Sequence, residues 1–198
     1  MVDTKIISDL RARTGAGIVD CKKALAECGD DVEKAAEYLR KKGIAKAGTR
    51  GERATKEGLV HSYIHPNNKM GVLVEVQCET DFVARTDQFQ AFVHDVAMQI
   101  AAANPLYLSP DQVPADVLAK EKEIVMSEFA GSNKPKEVID KIAAGKLGKF
   151  YSENCLLNQA FIKDEDKTIN DVINEVMGKL GEKIVVGRFV RFVVGESG

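Results

Sequence analysis

The apolar residues of this chain change period once, and that change constrains the fold more than any other feature. Through the first 43 residues they recur at the three-to-four spacing of helices; from residue 58 they alternate in twos, as in strands with one buried face. Between the two lies KAGTRGERATK, residues 46–56, with two glycines, five charges and no large apolar side chain. It has nothing to bury and reads as a linker. An RNA-contacting stretch is the other reading, weakened by Glu52 and by the lack of any aromatic on which a base could stack. The chain therefore divides into a three-helix head at 1–45, a linker at 46–57 and a second domain at 58–198.

In the head, Asp3 or Thr4 is placed to cap a helix carrying Ile6, Ile7 and Leu10, which ends at Thr14-Gly15-Ala16-Gly17. Ile18, Cys21, Leu25 and Cys28 then recur at helical spacing until Gly29, so all four are expected in the head's core. Val19, about 100° round the same helix from Ile18, is expected to face water. Asp30 is placed to cap a third helix, with Glu33 in capping-box position and Val32, Ala35, Ala36 and Leu39 as its apolar face.

Beyond the linker, residues 58–65 and 70–79 alternate around the turn residues His65-Pro66-Asn67-Asn68-Lys69, which predicts a β-hairpin with Val72, Val74, Val76 and Cys78 on one face. A long helix follows on Phe89, Phe92, Val93, Val96 and Ile100, closed by Asn104-Pro105. Ser109-Pro110 and Asn133 to Pro135 are read as opening two more helices. Thr168 to Asp171 caps a last one, striped by Ile169, Val172, Ile173, Val176, Met177 and Leu180 and ended by Gly181. Residues 183–194 read as a long final strand. Strands and helices are segregated, so the expected class is α+β: a small antiparallel three-stranded sheet packed by helices.

Little in the chain points to catalytic chemistry. Twenty-eight basic residues against thirty acidic ones leave a net charge of −2, so no overall field draws the chain to nucleic acid. No apolar run approaches the roughly 18 residues of a membrane span, and the N-terminus lacks a secretion signal's apolar stretch. Cys21, Cys28, Cys78 and Cys155 are too few and scattered for a disulfide scaffold, so the expected compartment is the cytoplasm. His61 and His65, four residues apart on a strand rising about 3.3 Å each, cannot share an ion. No Walker loop, G-x-S-x-G or G-x-G-x-x-G occurs, and His94 has no carboxylate at a suggestive spacing. The glycine-rich turn at 14–17 follows a helix rather than a strand, so a plain turn is preferred to a phosphate cradle. What is left is a binder, with no metal, no cofactor and no covalent chemistry of its own. Two places suggest where it binds: Val19, and the run TDFVA at 80–84, where Asp81 caps or enters a helical turn. There Phe82 is either a core side chain or an aromatic presented at an element junction.

At these residues the sequence resembles the elongation factor Ts family. LRARTGAGIVDCKKAL at 10–25 is similar to that family's N-terminal signature, and EVQCETDFVAR at 75–85 to its second. LLNQAFIKD at 156–164 and GEKIVVGRFVRF at 181–192 resemble its C-terminal segments. The resemblance spans the chain in order. It implies an exchange factor for the GTPase elongation factor Tu, with a ubiquitin-associated-like head over residues 1–45. It further implies that Arg11, Arg13, Ile18 and Val19 contact Tu's nucleotide domain, and that Thr80, Asp81, Phe82 and Val83 displace its magnesium. Two departures stand out. Many relatives are longer, with a duplicated core half and an inserted helical hairpin; and the family's glycine-glutamate-asparagine reads Gly181-Glu182-Lys183 here.

The final strand adds a homodimer, hence a 2:2 complex with Tu. One face is expected to offer Ile184, Val186, Val190, Phe192 and Val194, interrupted by Arg188; the other offers Val185, Phe189 and Val193. A strand apolar on both faces must be covered on both, either by a second copy or by residues 105–161 folding over it. The competing functions are a ubiquitin-associated-type adaptor without exchange activity, in which Phe82 is dispensable, and a thiol enzyme using Cys78.

Overall fold

The computed structural model describes residues 4–14, 16–48, 53–128 and 136–196. In chain order the elements are helices α1 (Thr4–Thr14), α2 (Ile18–Glu27) and α3 (Val32–Gly48), strands β1 (Glu57–Ile64) and β2 (Met70–Cys78), helices α4 (Asp81–Ala84), α5 (Asp87–Ala103), α6 (Ala115–Ser127) and α7 (Lys136–Asn154), strands β3 (Ala160–Phe161) and β4 (Asp164–Thr168), helix α8 (Ile169–Leu180) and strand β5 (Val185–Val193). An antiparallel sheet has the order β1-β2-β5, and β3 pairs antiparallel with β4. The α+β expectation holds; the short β3–β4 hairpin had no signal in the periodicity. Contacts gather the chain into two compact units: Met1–His61, Val74–His94 and Asp171–Gly187 form one, and Ser62–Leu73, Asp95–Asn170 and Arg188–Gly198 the other.

In the first unit, α1, α2 and α3 close on buried Ile7, Leu10, Cys21, Ala24, Leu25, Ala35 and Leu39. Three details depart from expectation. At the end of α2, Gly29 has φ +64° and the Asp30 N–H bonds the Leu25 carbonyl at 2.9 Å, a left-handed helix ending. Asp30, itself at φ +62°, is used up in that ending, so the cap of α3 is Asp31, whose carboxylate accepts from the Lys34 N–H at 3.1 Å. Glu33 turns to Arg13 instead of completing a capping box. The second departure is Ile18, which is 49% exposed rather than in the core. As the first residue of α2, its side chain leans toward the N-terminus, where no further turn covers it. Helix α3 also runs three residues into the stretch read as linker. Asp3 lies outside the described residues, and Thr4 is the first helical residue.

Elsewhere in this unit Val74, Val76 and Cys78 of β2 alternate into the core, and Phe89, Phe92 and Val93 of α5 and Ile173, Val176 and Met177 of α8 are buried. Gly58 sits at φ +146°, and a side chain there would collide with the Val76 carbonyl oxygen, so this position takes only glycine.

In the second unit the hairpin closes with the His65 N–H bonded to the Met70 carbonyl at 2.9 Å, around Asn68 at φ +55°. Val96, Ala97, Ile100 and Ala101 of α5 are buried, and among them sits Gln99. Its amide donates to the Gln159 side chain at 3.2 Å and to the Ala160 carbonyl at 3.1 Å, and accepts from the Ile162 N–H at 2.9 Å. Gln159, also buried, donates to the carbonyls of Ala103 at 3.3 Å and Glu153 at 2.9 Å. Every polar atom of this pair works, as burial requires.

Ser109-Pro110 opens only a single 3-10 turn, Pro110–Gln112, and α6 starts after Pro114. The reason is Val113: a residue before proline is pushed to extended geometry, here φ −71° and ψ 123°, and that breaks the helix between the two prolines. Asn133 to Pro135 lies outside the described residues.

The last strand is shorter than expected, and its burial differs along its length. Ile184 and Val186 are buried, whereas Arg188, Val190, Phe192 and Val194, of the same parity, are exposed. A side chain at Gly187 would meet Glu75 at 3.3 Å, and the Val194 N–H bonds the Lys69 carbonyl at 2.9 Å. The apolar residues read as one face from Ile184 to Val194 are thus buried at the start of the strand and exposed at its end. In the second unit Ile64, Leu73, Val190, Phe192 and Val194 are left exposed, the last two at 68% and 74%, so the described part of 105–161 does not cover them.

Candidate functional site

The first candidate is the turn after β2. Thr80 is the N-cap of α4, in extended geometry, and its hydroxyl accepts from the Val83 N–H at 3.4 Å. Asp81 pairs with Arg85 one turn on, at 2.9 Å. Thr86 accepts from the Phe89 N–H at 3.2 Å and donates to the Val83 carbonyl at 2.8 Å, which passes the chain from α4 into α5. Phe82 is thereby held outward at 79% exposure, which decides between the two readings: it is a presented aromatic, not a core side chain. Val83 is half-buried beside it.

A one-turn helix has almost no stability of its own, so something else must hold it. Glu182, between α8 and β5, accepts from the Glu79 N–H at 3.1 Å, the Thr80 N–H at 3.0 Å and the Thr80 hydroxyl at 2.6 Å. In return the Glu79 carboxylate accepts from the Lys183 N–H at 2.6 Å and pairs with Arg53 at 3.3 Å. In the sequence Glu182 stands out only within a departure from the family pattern, and nothing local reveals it, since about a hundred residues separate it from Thr80. Cys78 donates to the Thr80 carbonyl at 3.1 Å, and burial, then the charge of Glu182, pushes its thiol pKa up. A thiol held protonated is a poor nucleophile.

The second candidate lies on the head. Arg11 and Arg13 occupy the exposed last turn of α1, and Ile18 and Val19 the first turn of α2, at 49% and 65% exposure. Arg13 forks onto Glu33 at 2.8 and 2.9 Å, and this hydrogen bond, with the guanidinium charge, holds the Glu33 carboxyl below its ordinary pKa. All four residues flank the glycine turn of the head; the Phe82 turn forms a separate group in the chain beyond.

His61 meets His94, ring nitrogens 3.1 Å apart, and burial, then the neighbouring ring, lowers its pKa; His65 meets the Tyr63 hydroxyl at 3.0 Å. Among the described residues no group of three or more histidine, cysteine or acidic side chains could hold a metal ion, and no helix is long and apolar enough to cross a membrane.

The structure is of the α+β class, with a three-helix head and with apolar side chains exposed at a capped turn and at a helix end. Comparison sharpens that class. The family model described as elongation factor TS matches residues 22–196. The chain is 57% identical over 197 residues to elongation factor Ts of Moorella thermoacetica, covering 100% of this chain and 97% of that one. It is 53% identical over 197 residues to elongation factor Ts of Thermoanaerobacter sp., with the same coverage, and 55% identical over 196 residues to that of Anaeromyxobacter sp., covering 99% and 90%. The chain belongs to the elongation factor Ts family, as the resemblance of its signatures implied.

Proposed function

We propose that this chain is a guanine-nucleotide exchange factor that binds elongation factor Tu carrying GDP and promotes release of GDP and its exchange for GTP. The observation that carries the reading is Phe82, an exposed aromatic on a backbone tied down around it. In this account Thr80, Asp81, Phe82 and Val83 enter Tu beside its magnesium. An inserted aromatic needs room, and the partner's elements must shift to give it. Magnesium and the phosphate loop hold the nucleotide through charge and backbone donors, so small displacements there cost much of its affinity. The coupling is reciprocal: the factor weakens GDP, and GDP weakens the factor equally. Arg11, Arg13, Ile18 and Val19 dock on Tu's nucleotide domain, and the exposure of Ile18 supports that role. The chain acts in the cytoplasm, without cofactor, metal, membrane or nucleic-acid contact, and makes no covalent bond. Release of fluorescent GDP from elongation factor Tu, with and without the chain, tests this directly; an unchanged rate would leave a ubiquitin-associated-type adaptor.

The same reading includes a homodimer and a 2:2 complex. The exposed sheet residues Ile64, Leu73, Val190, Phe192 and Val194 support it, as an apolar face of this kind marks an interaction surface. Light scattering at micromolar concentration gives twice 21.6 kDa if it holds, and 21.6 kDa if it does not. Phe192→Asp is expected to give the smaller mass.

A further inference from the structure

Building on the exchange reading, we infer that Glu182 is a positioning residue for exchange: its carboxylate orders the turn that presents Phe82. Three donors of residues 79 and 80 converge on it. Its two oxygens divide the work. Oε2 takes both backbone N–H groups, which fixes the exit of β2. Oε1 accepts a hydrogen bond from the Thr80 hydroxyl at 2.6 Å, at the short end of the O–H···O range. A hydroxyl has one proton; once it is committed to Glu182, the oxygen's lone pairs are left for the Val83 N–H. The carboxylate therefore sets the direction of the cap on α4, and α4 has only the residues Asp81–Ala84 with which to hold itself. The Lys183 N–H on the Glu79 carboxylate closes the clasp from the other side. Pre-ordering the turn removes a cost that otherwise falls on the step at which Phe82 enters the partner. Glu182 touches neither nucleotide nor magnesium in this account; it acts through Thr80.

The sequence has no tryptophan, so Phe82→Trp supplies a single fluorescent reporter in the full chain. Glu182→Ala and Glu182→Gln are made in that background, and again in the chain that keeps Phe82 for GDP-release assays on elongation factor Tu. With Glu182→Ala the reporter's anisotropy is expected to fall. The maximal release rate is expected to drop about tenfold, the equivalent of one lost bond to a charged group, with the half-saturating concentration unchanged within about twofold. Glu182→Gln keeps an acceptor for the two backbone groups but turns an amide donor toward the hydroxyl, so intermediate values are expected in both readouts. Unchanged anisotropy, or an unchanged maximal rate, with Glu182→Ala would overturn the inference. If circular dichroism finds Glu182→Ala unfolded, the Gln variant decides, and behaviour identical to the parent rejects the role. If the parent chain releases no GDP, the exchange reading fails, while the anisotropy still decides whether Glu182 orders the turn.

Discussion

On the head, Ile18 and Val19 stand in water because they are the first residues of a helix, and the helices beneath them close on seven buried side chains, four of them leucine or isoleucine. Phe82 also occupies a first turn, but its helix has four residues, and its position depends on Glu182 and Lys183 from far along the chain. The head displays its apolar edge by local rules, the second site by a clasp closed at long range. Locally ruled sites fail when their small core fails; clasped sites lose function when one tie is cut, with little loss of stability.

Leu25→Asp presses this contrast hardest. A charge at a fully buried position with no partner costs several kcal/mol, more than a three-helix head can absorb, so the head's helical signal in far-ultraviolet dichroism is expected to vanish and Tu binding with it. Phe82→Ala comes next: GDP release is expected to fall about thirtyfold or more, as for a truncated interface anchor, with Tm within about 2 °C of the parent. A buried phenylalanine would instead cost about 3–5 kcal/mol, so a large drop in Tm would break the comparison. Val19→Asp is expected to weaken Tu binding about tenfold by titration calorimetry, for want of one desolvated contact. If its dichroism matches that of Leu25→Asp, the assignment of helix faces fails.

The smallest effect concerns acid. The Lys34 backbone N–H, then its ammonium, lowers the Asp31 pKa; Arg13 lowers that of Glu33. Both folded values lie below the unfolded ones, so their stabilisation is complete above the ordinary carboxylate range and is lost as pH falls through the folded pKa values. Glu33 is exposed and Asp31 half-buried but open to solvent, and the loss is small. Asp31→Asn keeps the cap while removing one titration, and thermal melts from pH 7 to pH 3 should show a flatter decline for it.

Most of the fold was readable because it follows from short-range pattern. The hairpin, α5, α8 and the head's core appear where alternation and helical spacing put them. The misses each have a non-local or competing cause. Asp30 lost its cap role because the previous helix needed it in a left-handed ending. Ile18 obeyed the helical period but lay at a helix end, which periodicity does not weigh. The final strand's apolar residues were marked by alternation, but alternation does not say where along a strand they are covered, and only Ile184 and Val186 are buried. For the candidate sites, residue identity was readable from the signatures and exposure was not: Phe82 had two readings until the clasp was seen, and Glu182 entered only through three dimensions.

The buried amides of Gln99 and Gln159 bear on how this sequence can drift. An apolar residue at 99 strands the Ile162 N–H and the Ala160 carbonyl; one at 159 strands the carbonyls of Ala103 and Glu153. Each single step carries the full penalty of an unpaired buried group. Changing both together does not remove it, since the orphans are backbone groups that no side-chain swap deletes. The two positions are thus locked by what they serve rather than by each other, and lineages that abandon one amide are expected to have rebuilt the path of the chain through 160–162 as well.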